Sequence, residues 1–185
     1  LLEPRSILKF ALKRGLSAIA ITDHNTLKGS LITLREASSI EDLVVIPGIE
    51  VRTNKGDIVG LFVQNDIESR EFNEVVEEIK RQDGLVILSH PYRRHENPEL
   101  LVKYVDAVEI LNGRCSPDEN AKAKKLAIAT DKPAVAGSDA HFCFEIGCVR
   151  MIFREELSNA EELRRAILSG DKLLIGKEMP MLVHA

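Results

Sequence analysis

The 185-residue chain has no tryptophan, two tyrosines and six phenylalanines. So few aromatic side chains argue against a platform on which the bases of single-stranded nucleic acid would stack. The chain also lacks an excess of positive charge, because its formal net charge is -4 and its pI is about 5.8. A protein that holds duplex nucleic acid through its phosphates is usually basic, so we expect no stable duplex binding.

Cysteine is scarce as well, and no apolar run approaches the length of a membrane span. Cys115, Cys143 and Cys148 are an odd number without a zinc-finger spacing, and no secretory signal is evident. We therefore expect reduced thiols, a cytoplasmic location and no membrane segment. The hydrophobic fraction of 44% and charged fraction of 29% are typical of a globular protein. A single domain over residues 1–185 is expected, and the oligomeric state stays open.

What the chain does contain is a regular alternation of short apolar runs with amphipathic segments. Strands are predicted at residues 17–21, 43–51, 56–63, 85–88, 105–111, 134–141, 147–153 and 173–175. Helices are predicted at residues 4–15, 27–38, 69–82 and 118–130, and again from Ser158. This alternation predicts parallel β/α units, whose ligands bind at the carboxyl ends of the strands.

Histidines and acids cluster where these runs end. His24 and His90 each follow an apolar run, and Asp139 and His141 follow the run at 134–137. If residues 139–141 are extended, the two side chains lie on one side about 6.6 Å apart. That separation suits two metals in one pocket, which lie about 3.5–4 Å apart.

Two further acids have competing interpretations. Glu50 lies among apolar residues, where a carboxylate is costly unless it is paired or binds a metal, but an edge-strand Glu facing water is equally compatible. Asp57 begins an apolar run and is more simply a turn residue. If all these side chains converge, the mixture of imidazole and carboxylate ligands suits zinc, manganese or iron.

Cationic residues lie beside the predicted pocket. Arg93 and Arg94 follow His90, and Arg114 comes after the run at 105–111. Arginine binds phosphate in a bidentate manner, although an arginine pair is more often a solvated surface. His184 is predicted to be exposed and outside the site.

Four motifs together resemble the PHP (polymerase and histidinol phosphatase) superfamily. They are Ile-Thr-Asp-His-Asn-Thr at 21–26, Pro-Gly-Ile-Glu-Val at 47–51, Ser-His-Pro at 89–91 and Gly-Ser-Asp-Ala-His at 137–141. The resemblance implies an α/β fold, a distorted (β/α)7 TIM-like barrel with up to three divalent metals that hydrolyses phosphate esters. The family opens with a strand carrying His-x-His, which this sequence does not contain. We therefore expect an N-terminally incomplete PHP domain that lacks its first strand.

The resemblance also implies roles for individual residues. Glu50 would bridge two metals, His90 would bind one of them and Asp139 the other, while His24 and His141 would share a third. Asp57 aligns with a position where many members have His, which would shift the preference toward manganese. Arg93 and Arg94 lie where the family places phosphate contacts.

The leading hypothesis is a phosphoesterase acting on mono- or diesters of a small molecule or nucleotide. A metal-bridging hydroxide would attack phosphorus in line, Arg93 or Arg94 would neutralise the developing charge, and His141 or a metal would assist the leaving oxygen. One alternative is a catalytically silent metal-binding or interaction domain of the same family. Another is an amidohydrolase-like metal hydrolase, although no bridging lysine is apparent in this sequence.

Overall fold

The structure is a computed structural model that describes residues 2–157 and 159–178. The helices are α1 (Pro4–Lys13), α2 (Lys28–Glu36), α3 (Phe72–Arg81), α4 (Pro91–Arg94), α5 (Pro98–Leu101), α6 (Pro117–Ala129) and α7 (Ala160–Leu168). The strands are β1 (Ala18–His24), β2 (Val44–Thr53), β3 (Gly56–Leu61), β4 (Leu85–Leu88), β5 (Ala107–Asn112), β6 (Ala134–Gly137), β7 (Val149–Phe153) and β8 (Lys172–Gly176). Ser158 and His184 lie outside the described residues.

The first six strands form one curled sheet, a half barrel in which they follow one another in chain order. Strands β7 and β8 form a separate antiparallel pair. The predicted elements match the observed ones closely because their apolar periods are regular. In α3, for example, Phe72, Val75, Val76 and Ile79 form the predicted apolar face, and all four are buried.

The prediction of parallel pairing throughout is wrong for the pair β7–β8, which is antiparallel, and for β3. The pairs β1–β2, β4–β5 and β5–β6 are parallel, whereas β3 runs antiparallel to both β2 and β4. Only residues 54 and 55 separate β2 from β3, and a parallel crossover needs a dozen residues or more. The start of β3, rather than its end, therefore lies at the edge where β1, β2 and β4 end.

The prediction that residues 139–141 continue the sixth strand is also wrong. β6 ends at Gly137, and Asp139 has a φ of 48°. Positive φ also occurs at Asn25 and His90, directly after or close to the ends of β1 and β4 at the same edge. A left-handed residue turns the chain out of its strand direction. The edge of the sheet is thus lined by tight turns that carry several of the predicted site residues.

Among the described residues, no helix is both long and apolar enough to span a membrane. Cys115, Cys143 and Cys148 are all free thiols.

Candidate metal centre

The centre of the site is a buried cluster of Glu50, Asp57 and His90. Their candidate ligand atoms all lie within 4.8 Å of one another. His90 Nε2 is 3.0 Å from Glu50 Oε1 and 3.9 Å from Asp57 Oδ2. The cluster forms where three strands meet. Glu50 lies in β2, Asp57 lies near the start of the antiparallel strand β3, and His90 follows the end of β4. Water is largely excluded, since all three residues are buried.

Glu50 is placed between two histidines. Its Oε1 faces His90, and its Oε2 lies 3.4 Å from Nδ1 of His24. The parallel pairing of β1 with β2 puts His24 directly beside Glu50. The His24 side chain is about half exposed, so it forms the outer wall of the site. The two oxygens of Glu50 thus face two different histidines.

Asp139 and His141 form a second group at the end of β6. His141 Nδ1 is 3.6 Å from Asp139 Oδ1, and the His141 ring centroid lies 6.2 Å from that of His24. Asp139 Oδ2 accepts a hydrogen bond of 2.8 Å from Arg93 Nη2. The two histidines expected to share a metal are thus neighbours, while Asp139 is paired with an arginine.

The three predicted phosphate contacts have different surroundings. Arg94 is exposed. Arg93 pairs with Asp139, and its Nε is buried without a hydrogen-bond partner. Arg114 Nη1 is 3.3 Å from Oε1 of Glu145, a residue with no solvent exposure. The phosphate roles stay predictions, and Arg94 is the cation that faces solvent.

Sequence reasoning missed four residues that support the site. Glu109 Oε2 accepts hydrogen bonds from the backbone N of His90 and from Asn112 Nδ2. Glu145 Oε2 accepts from the backbone N of His141 at 2.6 Å. His95 Nε2 is 2.8 Å from the backbone O of Asp57. Glu109 lies among apolar neighbours as Glu50 does, and Asn112 directly follows an apolar run as His90 nearly does, so the same signals could have identified both. Glu145 and His95 carry no such signal.

The charges of the cluster shift several pKa values. Burial lowers the pKa of His90, but its hydrogen bond to Glu50 and the charge of Glu109 outweigh burial and raise it above the usual range. Burial raises the pKa of Glu109 to about 7, against the opposing effects of His90 and Asn112. A negative environment therefore surrounds His90, which favours a bound cation.

His95 gives this region a dependence of stability on pH. Burial, with a smaller effect from the charge of His90, lowers the pKa of His95 to about 4 from its usual 6.5. Between these pH values the unfolded chain takes up a proton at His95 that the folded chain does not. The free energy of unfolding therefore falls as pH falls from 6.5 to 4. The loss amounts to at most about 3 kcal/mol.

We expect His95→Phe to flatten this part of the pH dependence in metal-free protein. Urea unfolding of both proteins at pH 4.5 and 7 measures it. The free energy of unfolding of the parent should fall more between the two pH values than that of the variant. Equal falls would contradict the assignment.

Comparisons with known proteins agree with this fold. A family profile for the PHP-associated region matches residues 117–171. An uncharacterised protein of Methanocaldococcus jannaschii is 33% identical over 196 aligned residues, which cover 95% of this chain and 77% of that protein. A second uncharacterised protein of the same organism is 46% identical over 91 residues, covering 49% of this chain and 53% of its own length.

Solved structures share the architecture. A two-domain protein of Bacteroides vulgatus, which contains a predicted PHP-like metal-dependent phosphoesterase, has a TM-score of 0.78 at 19% identity. The match covers 96% of this chain but 61% of that protein. A candidate metal-dependent phosphoesterase of Bifidobacterium adolescentis has a TM-score of 0.67 at 15% identity, covering 90% of this chain and 91% of the other.

An amidohydrolase of Chromobacterium violaceum, solved with bound sulfate and no metal, has a TM-score of 0.65 at 16% identity. It covers 76% of this chain and 82% of its own. At these identities the likeness concerns the fold alone. The profile match, the relative that aligns with nearly the whole chain and the shared fold lead to one conclusion: the chain belongs to the PHP superfamily.

Proposed function

We propose that this protein is a metal-dependent phosphoesterase that hydrolyses phosphate mono- or diesters of a small molecule or nucleotide. One observation carries the proposal. Glu50 presents its two carboxylate oxygens to two different histidines, His90 and His24, in a cluster that also contains Asp57. Such a set of imidazole and carboxylate ligands at the edge of an α/β sheet is typical of hydrolytic metal sites.

The donor atoms of this cluster fit divalent metals. Glu50, Asp57 and His90 would hold one ion, and the second oxygen of Glu50 together with His24 offers ligands for a neighbouring ion. Asp139 and His141 are candidates for the remaining ligands, giving up to three ions in all. Because Asp57 adds an oxygen ligand where an imidazole is common, we propose manganese as the preferred metal, ahead of zinc or iron. The metals would supply Lewis acidity and lower the pKa of bound water.

The chain's own residues would bind and orient the phosphate group. Arg94 is exposed on α4, the short helix that begins directly after His90, and is therefore the candidate for contacting a phosphate oxygen. Arg93 contacts Asp139 in the present arrangement, and its Nε is buried, so Arg93 would orient Asp139 more readily than it would bind an anion. His141 is about half exposed beside Asp139, where it could donate a proton to the leaving oxygen. Arg114 is the weaker candidate because Glu145 already pairs with it.

We also propose that the curled sheet is part of a distorted (β/α)7 barrel, which the likeness to PHP-like structures supports. Hydrolysis of a C–N bond is the second candidate function. The likeness to the Chromobacterium violaceum amidohydrolase favours it, although the sulfate in that structure is a tetrahedral anion like phosphate. A silent metal-binding domain is the third.

The test is phosphate release from a panel of phosphomonoesters and phosphodiesters by the full-length protein with added Mn²⁺. We expect hydrolysis that a chelator abolishes, and we expect Arg94→Ala to raise KM about 10-fold or more, because a charge-assisted hydrogen bond to the substrate contributes roughly 1.5–3 kcal/mol. Arg81→Ala is the matched control, because Arg81 is an exposed cation at the end of α3, just before β4 begins at the sheet edge opposite to the site.

Hydrolysis of amides with no release of phosphate would favour the amidohydrolase. Tight binding of metal without any hydrolysis would favour the silent domain.

A further inference from the structure

Glu109 connects three neighbouring strand ends. It lies in β5, and its Oε2 accepts a hydrogen bond of 2.9 Å from the backbone N of His90, which follows β4. The same oxygen accepts a bond of 3.0 Å from Asn112 Nδ2 at the end of β5. Its Oε1 lies against Gly137 at the end of β6, where a Cβ would come within 2.8 Å. One carboxylate thus contacts all three turns.

Two of those turns hold proposed metal ligands in uncommon backbone conformations. His90 has φ 28° and ψ 63°, and Asp139 has φ 48°. Residues other than glycine keep such conformations only when their surroundings enforce them. At His90 an oxygen of Glu109 supplies the acceptor that holds the backbone N–H in this conformation.

The connection to Asp139 passes through Asn112. Asn112 is 1% exposed, and its Nδ2 contacts both Glu109 Oε2 and, at 3.4 Å, Asp139 Oδ2. Its backbone is fixed from α6, because Asn120 accepts from Asn112 N at 3.0 Å and donates to Asn112 O at 3.1 Å. Glu109, through a rigidly held amide, therefore also restrains the Asp139 carboxylate.

We propose that Glu109 is a positioning residue of the metal centre. Its carboxylate holds the backbone of His90 directly and the side chain of Asp139 through Asn112, so that both ligands are oriented before a metal arrives. The inference rests on the proposed metal site and concerns how that site is built. Glu109 lies outside the group of Glu50, Asp57 and His90, and its Oε2 is occupied by the His90 backbone N–H and by Asn112, as expected for a residue that acts on the ligands.

The experiment is a Co²⁺ titration of the metal-free full-length protein, followed by the visible absorption of the bound ion. Glu109→Leu keeps the size of the side chain but removes both acceptors, and we expect it to raise the apparent Kd for Co²⁺ by 10–100-fold. Glu109→Gln keeps an oxygen acceptor, so it should stay within about 5-fold of the parent and keep the parent spectrum. Glu77→Leu, at an exposed position of α3, is the control.

A second variant covers the case in which Glu109→Leu does not fold. Gly137→Ala would push the Glu109 carboxylate away by its Cβ without changing any charge, and it should also raise the Kd and change the spectrum. Parent affinity and spectrum in Gly137→Ala or in Glu109→Leu would overturn the proposal. So would an equal loss in Glu109→Gln and Glu109→Leu, because the charge and not the positioning would then matter. Tight Co²⁺ binding by a parent that hydrolyses no phosphoester would overturn the proposed function alone.

Discussion

We expect Glu50→Gln to lower kcat/KM for phosphoester hydrolysis by at least about 100-fold, because losing a direct metal ligand should cost no less than the roughly 10–100-fold loss typical for a group that only orients a ligand. The substitution keeps the shape of the side chain but removes the negative charge that faces His90 and His24. A neutral amide is a poor ligand, and its NH2 group would point toward one of the two imidazoles. The amount of Mn²⁺ that stays bound after dialysis, measured by elemental analysis, should fall in parallel.

Glu77→Gln is the matched control for this experiment, because Glu77 is an exposed carboxylate on α3, away from the strand ends. It should keep both the activity and the metal content of the parent. A Glu50→Gln protein that retains full activity and full metal content would contradict the central place of Glu50. Retained activity with lost metal would contradict the metal dependence itself.

Removal of the Glu145 carboxylate should destabilise the protein by about 3–5 kcal/mol, the usual cost of breaking a buried ion pair. Glu145 is fully buried, and it pairs with Arg114 and accepts the backbone N–H groups of His141 and Phe142. Glu145→Ala would leave a largely buried guanidinium and two amides without an acceptor. For a chain of this size we expect Tm to fall by roughly 10 °C, measured by circular dichroism in the absence of metal.

The double substitution of Arg114→Met and Glu145→Leu separates charge from packing. It removes both members of the pair, so its stability should lie closer to that of the parent than that of Glu145→Ala does. The backbone N–H of His141 would still lack its acceptor in the double variant. We therefore expect both Glu145→Ala and the double variant to bind Co²⁺ more weakly than the parent. A loss below about 1 kcal/mol in Glu145→Ala would show that the pair is not a stabilising contact.

Much of the site could be predicted because its residues follow regular apolar runs. His24 ends β1 and His90 follows β4, and parallel strands bring their carboxyl ends to one edge. Glu50 could be singled out since a carboxylate among apolar neighbours requires a partner. The alternation of elements also gave the α/β fold, because helix and strand periods depend on local sequence.

The sequence by itself therefore determined the longer elements, their order and the edge at which His24, Glu50 and His90 meet, but not the short helices α4 and α5 or the end of β6. Tertiary structure alone decided which contacts form there. It reversed β3, so that Asp57 reaches His90 from the start of its strand. It gave Arg114 a buried acid as its partner and set Glu109 against the backbone of His90. These contacts join residues that are distant in the chain. Sequence periodicity reports only on neighbours a few residues apart, so it cannot select such partners. Packing in three dimensions selects them.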